Sequence, residues 1–438
     1  MRWSNSLRSS GTWYLTALAI GVVLERFANY LWYEQPILWG QPANILVSFG
    51  FFAVAFVMWL ILSRRQRATG WLLVFLTAMG IAWLAHWMLY RYHGDAMNYT
   101  AILYVPMLAL LGIKPPTATE ARTAILGFAW TVASVLTITR LLEMLGLLDI
   151  KEQAEYVIEF DTANYFLPLN DPLGIEGRWP GPFGHNGDTA MMAALIIVIA
   201  FAYWTKASWF FLFVGGFTLL LTNGRASLGA IVAGLVLLAM FTDRGHLGRF
   251  PRVWRLGIGG ALLMMGALAL YLRPAGLTGR SAFWPAFLDL WQTSPIVGVG
   301  SSGIAVSGGL TQEFGHAHSL YIDELARYGL VGFVVQFTAI GVGVFIAARA
   351  AGVRYPGPIA VITTYLVTGI TEPRNNWIAP SATGFLLILA VAAAAGYMSQ
   401  CKAGRSPRLD HKPLDESDLA NTRSADASPG DAQSRKLG

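Results

Sequence analysis

Two things are nearly missing from this sequence: cysteine and charge. Its 438 residues include one cysteine, Cys401, and only 13% are Asp, Glu, Lys or Arg. A single cysteine excludes an intramolecular disulfide, so packing alone must hold the chain, and cysteine usage says nothing about its compartment. So little charge excludes the solvated shell of an ordinary soluble domain. The net charge of +6 is scattered between apolar blocks and forms no stripe, which argues against a nucleic-acid partner. Alternation is also absent: runs such as "MMAALIIVIAFAYW" lack the roughly ten-residue, period-two pattern of a membrane β-barrel.

What is present is apolar mass, 55% of the residues, gathered in blocks near twenty long. About thirty ångströms of hydrocarbon requires blocks of about that length, so the expected fold is all-α, a polytopic membrane protein embedded among lipids. Blocks fall near 11 to 32, 43 to 62, 70 to 90, 99 to 113, 123 to 148, 188 to 205, 207 to 222, 226 to 241, 254 to 272, 319 to 347, 356 to 371 and 381 to 399. They predict about twelve transmembrane helices within a domain spanning 1 to 401. The N-terminal block follows Arg2 and Arg8 but carries no small-residue cleavage site, and it reads as a retained first span.

Lys and Arg set the orientation. Arg2 and Arg8, "SRRQR" at 63 to 67, Lys114 and Arg122, Lys206, the cluster 243 to 255, Arg349 and Arg354, and Lys402, Arg405 and Arg408 all fall on one side of a twelve-span chain. That side is the cytoplasm, and both termini lie there. The other face then carries two larger extracytoplasmic loops, roughly 149 to 187 and 273 to 318. From 402 to 438 the composition turns to Ser, Asp, Pro and Lys with little to bury, which predicts a disordered cytoplasmic tail.

Three cations stand out at the outer face: Arg225 in "LLLTNGRASLGA", Arg280 in "AGLTGRSAFWPAF" and His318 in "GHAHSLY". A guanidinium offers a fixed fork of donors to phosphate oxygens, so two of them suit a diphosphate. An imidazole, with an ordinary pKa near 6.5, suits removal of a proton from a hydroxyl. A lone arginine at a span end is equally read as an interfacial anchor. His316 and His318 invite a metal, but no Cys and no His-x-x-x-His pair accompanies them, so no metal and no cofactor are expected. His185 in "GHNGD" is a second candidate for substrate contact, against a capped Gly/Pro loop. Within the bilayer, Arg140 and Glu143 lie three apart on one helical face. Unpaired they would cost roughly 2.5 to 3.5 kcal/mol each, so they are expected to pair.

The segment from Leu277 through Phe337 resembles the signature region of the O-antigen ligase and polymerase superfamily, over about 275 to 340. The resemblance rests on Gly279, Arg280 and Trp284; on the Pro-x-x-Gly-x-Gly turn of Pro295, Gly298 and Gly300; on His318; and on Gly329 and Gly332. Arg225 matches the arginine at a similar span end. The resemblance implies a bacterial inner-membrane glycosyltransferase working on the periplasmic face, without metal. Its donor would be a glycan on undecaprenyl diphosphate, and its acceptor a hydroxyl of a lipid core or another molecule. His318 would be the base, with Arg225 and Arg280 on the diphosphate and His185, His316 and Glu324 as further substrate contacts. Polysaccharide polymerase and protein O-oligosaccharyltransferase are the alternatives within the family; a non-catalytic flippase or exporter of lipid-linked glycans is the alternative outside it. Two positions depart from the pattern. Ser319 stands where Asn is usual, and Arg327 stands where the family often has glutamate, leaving Asp323 or Glu324 to take that role.

Overall fold

In the computed structural model the described residues are 15–17, 19–24, 70–94, 108, 111–113, 115–148, 179, 181–183, 186–222, 224–241, 280–309, 311, 315–352, 355–370 and 382–403. The expected spans at 43 to 62 and 254 to 272, most of the loop 149 to 187, His185 and the tail beyond residue 403 lie outside them. Every described element is helical, with no strand among the described residues.

The helices are α1 (Gly70–His93), α2 (Ala118–Met144), α3 (Asn186–Ala202), α4 (Ser208–Thr222), α5 (Arg225–Phe241), α6 (Arg280–Thr293), α7 (Gly300–Val306), α8 (Leu320–Gly352), α9 (Gly357–Thr368) and α10 (Ala382–Lys402). Among the described residues four helices are long and apolar enough to cross a membrane: α1, α2, α8 and α10 from Thr383 onward. Their outward side chains agree with an apolar solvent, since α1 exposes Leu73, Ile81 and Met88. The shorter apolar helices α3, α4, α5 and α9 run 17, 15, 17 and 12 residues. A 12-residue helix rises only about 18 Å. The segment expected as a loop from 273 to 318 contains α6 and α7: Phe287 and Ile304 turn inward to join Ala317 and Ala326 in one cluster, giving these short helices a buried side.

Glycine and small side chains set the packing. α3 is buried nearly all round and contacts α2, α4, α5 and α9. α5 packs along α9, where Gly234 faces Thr364 and Ala360. α1 packs along α8, with Gly343 against Phe75 and Val391. α2 is closed at both ends. Thr117 and Glu120 form a reciprocal capping box, Thr117 N donating to Glu120 Oε2 at 2.8 Å and Glu120 N to Thr117 Oγ1 at 3.1 Å. Gly146, at φ 67°, ends it with a double turn in which Leu147 N reaches Leu142 O at 2.9 Å and Gly146 N reaches Glu143 O at 2.9 Å.

Candidate functional site

α8 begins immediately after the two histidines, and it is broken one-third of the way along. Gly329 adopts φ 61° and ψ −163° inside the helix, a conformation that favours glycine. The turn from Pro295 to Gly300 fills the resulting gap. Leu330 N donates to Pro295 O at 2.9 Å, Val331 N to Ile296 O at 3.0 Å, and Val299 N to Ala326 O at 2.9 Å. These bonds take up backbone groups freed at the kink. Both glycines are sterically obligatory. A Cβ on Gly298, itself at φ 73°, would overlap the backbone of Arg327 and Tyr328, and one on Gly329 would overlap that of Ile296 and Gly298. The Pro-x-x-Gly-x-Gly turn and the Gly-x-x-Gly helix, thirty residues apart in sequence, are therefore one hydrogen-bonded unit.

His318 heads this unit. Among the described residues it is the only non-glycine with positive φ, at 48°, a conformation in which histidine is over-represented. Its ring stands edge-on to that of His316, with centroids 4.2 Å apart. Ser319 is buried, and its carbonyl accepts from Asp323 N at 2.9 Å. Leu320 N donates across to Gly369 O at 2.8 Å, tying the head of α8 to the end of α9.

The arginines are placed by backbone register. Gly224 meets Ala190 and Gly234 meets Val198, so α5 runs beside α3 in the same direction, while Gly357 at the start of α9 meets Tyr203 just past the end of α3, so α5 and α9 run antiparallel. Following α5 back to Arg225 therefore reaches the level of the α9 C-terminus, where Gly369 meets Leu320. Phe287 shares a cluster with Ala317 and packs against Ile322, and α6 starts about 10 Å earlier along its own axis. Arg280 is its first residue. One turn on, the Trp284 indole N–H is buried without a hydrogen-bond partner among the described residues. His185 lies outside the described residues. The adjoining Asn186 and Asp188 are buried in the first turn of α3, near Gly224, where a Cβ would meet Ala190.

Arg140 and Glu143 pair as expected, Nη1 to Oε2 at 3.2 Å. Glu143 also accepts from Trp179 Nε1 at 2.9 Å, and Trp179 N bonds to Leu221 O at 3.0 Å, so the pair anchors the Trp179 segment.

Glu324 is engaged by a residue that sequence reasoning missed. His86, in the middle of the apolar α1, places Nε2 against Glu324 Oε1, and the side chains are 1% and 3% exposed. His86 Nδ1 faces Ala82 O at 2.9 Å. A carbonyl can only accept, so Nδ1 carries hydrogen and one further proton is shared between Nε2 and the carboxyl. Tyr328 stands edge-on to His86, with centroids 4.8 Å apart, and Tyr90 lies against Tyr328 at 5.3 Å. The signal was a histidine inside a span, which needs a partner; its partner lies 238 residues away.

Arg327 is largely covered and turns its donors toward neighbouring segments. Nε donates to Asp323 Oδ2 at 2.7 Å, Nη1 to Ser301 Oγ at 2.6 Å, and Nη2 to Gly315 O. Asp323 Oδ1 accepts from Ala317 N at 3.2 Å. At the C-terminal end of α1, His93 Nε2 meets Val297 O at 2.9 Å, and Ser302 Oγ donates to His93 O at 3.2 Å. Among the described residues no three His, Cys, Asp or Glu side chains gather as a metal site would need. Among the described residues, whose apolar helices suit a membrane-embedded protein, the histidine loop and the glycine-dependent interlock thus lie just before and within the first third of α8. No family model matches the chain, and no curated protein matches its sequence.

Proposed function

We propose that this protein is an integral-membrane glycan transferase of the O-antigen ligase type. It crosses a bacterial inner membrane about twelve times, with both termini in the cytoplasm and two larger loops outside. On the outer face it moves a glycan from undecaprenyl diphosphate to an acceptor hydroxyl. The observation that carries the reading is the interlock: two motif halves that lie apart in sequence share one hydrogen-bonded backbone unit in the helix that follows His318.

In the reaction His318 takes the proton of the acceptor hydroxyl as its oxygen attacks the anomeric carbon. The bond from that carbon to the phosphate oxygen breaks, and the electron pair leaves with the diphosphate. Arg225 and Arg280 meet the charge growing on the leaving group, where donors fixed in advance count most. The unpartnered Trp284 N–H is a further donor for an oxygen-rich ligand at this end. His318 then passes its proton to the departing diphosphate or to water.

The test is reconstitution in liposomes with a defined polyprenyl-diphosphate glycan and a hydroxyl acceptor, without nucleotide sugar. Release of polyprenyl diphosphate together with glycosylated acceptor supports the reading. Movement of intact donor between leaflets without release would establish the flippase instead. Addition of a chelator leaves turnover unchanged under this reading, and loss of turnover would restore a metal to the site.

A further inference from the structure

We propose that Arg327 is a positioning residue that holds the loop bearing His318, an inference that rests on the glycan-transfer reading. Its three engaged donors reach three separate segments: Asp323 one turn back on α8, Ser301 at the start of α7, and the carbonyl of Gly315 before His316. Asp323 uses its second oxygen on the amide of Ala317, the residue between the two histidines. The histidine loop is therefore held at two points, by Arg327 directly at Gly315 and through Asp323 at Ala317. Both side chains are largely covered, 17% and 13% exposed. A guanidinium can satisfy this arrangement because its donors point in several fixed directions, and an ammonium cannot reach all three acceptors at once.

This accounts for the departure from the family pattern at Arg327. The residue here faces a carboxylate, a carbonyl and a hydroxyl, so a glutamate in the same place would set two carboxylates together and leave Gly315 O without its donor. Arg327→Glu, which restores the residue the family often carries, is then expected to be worse than the uncharged Arg327→Met. A role in binding acceptor through a carboxylate at this position predicts the reverse order.

The experiment combines turnover in proteoliposomes with hydrogen exchange of the full-length protein, for Arg327→Met, Arg327→Glu, Arg327→Lys and Asp323→Asn, with His318→Ala as reference. Arg327→Met is expected to lower kcat about 100-fold, the scale of a misplacement near 1 Å, with the donor KM within about threefold. Arg327→Glu falls further, Arg327→Lys lies between Met and wild type, and millimolar guanidinium restores about tenfold to Arg327→Met. The amides from Gly315 to Ser319 exchange faster in Arg327→Met and Asp323→Asn. If Arg327→Met fails to fold, Asp323→Asn, which keeps shape and removes the charge, decides on the same two readouts. Wild-type kcat and unchanged exchange in the folded variants, with His318→Ala inactive, would overturn the positioning role. An active His318→Ala would overturn the reaction reading on which it rests, whatever the exchange data show.

Discussion

Glycine does two different jobs in two regions of this molecule. Among α3, α4, α5 and α9 it keeps ordinary backbone and lets helices approach: Gly215 and Gly234, inside helices, against Ile197 and Thr364, and Gly224, just before α5, against Ala190. Between Gly298 and Gly329 it takes positive φ instead, at Gly298, Gly300, Gly308, Gly309, Gly315 and Gly329. The polar groups divide in the same way. Within the helices of the packed region hydroxyls return to their own helix, as when Thr364 Oγ1 donates to Ala360 O at 2.9 Å and Thr368 Oγ1 to Thr364 O at 2.7 Å, and Ser208 at the α3–α4 turn reaches only as far as Ala200 O, at 3.1 Å. In the site region they reach across elements, as do His86, His93, Asp323 and Arg327. One region is closed by shape, the other by long-range polar contacts and backbone conformations that only particular residues tolerate.

The sharpest way to break this comparison is at the seam of α1 and α8. His86→Leu leaves Glu324 buried without its partner and is expected to cost about 3 to 5 kcal/mol. The double replacement His86→Leu with Glu324→Leu should recover most of that loss, and thermal unfolding of both variants in detergent checks it. A smaller effect, about 2 to 4 kcal/mol, is expected for Gly329→Ala, which combines a left-handed backbone with overlap against the Pro295 turn. Gly234→Ala is the matched control in the packed region. Its φ is ordinary, so its expected cost is only that of crowding Thr364, about 1 to 2 kcal/mol, and Thr364→Ala should relieve it. No second substitution of that kind should rescue Gly329→Ala. The smallest change runs in the opposite direction. Gln336 is 1% exposed and neither atom of its carboxamide has a partner among the described residues, so Gln336→Leu is expected to raise stability by about 1 kcal/mol.

The same division explains what could be read from sequence. Local pairs were legible because helical periodicity encodes them: Arg140 and Glu143 at i, i+3 were expected to pair and do, and Asp323 and Arg327 have the i, i+4 spacing. The apolar blocks predicted helices at α1, α2, α3, α4, α5, α8, α9 and α10, with ends displaced by a few residues. α6 and α7 lie in a segment that reads as loop because Asp289, Gln292 and Pro285 interrupt its apolar run, and their buried side shows only once α8 is there to cover it. His86 with Glu324, and Arg327 with Ser301 and Gly315, are set by tertiary packing, which no local spacing records. Glu324 was expected to touch substrate, and in the structure its carboxylate faces His86.

The two histidines provide the most direct test of the central claim, because they are ring neighbours on one loop and only one is assigned the chemistry. Single-turnover transfer from a polyprenyl-diphosphate glycan should be measured for His318→Ala and His316→Ala side by side, in proteoliposomes matched for folded protein. Loss of a general base predicts a fall of about 100- to 10,000-fold for His318→Ala, with His316→Ala within about tenfold of wild type. Equal rates for the two variants, or full transfer by His318→Ala, would contradict the account.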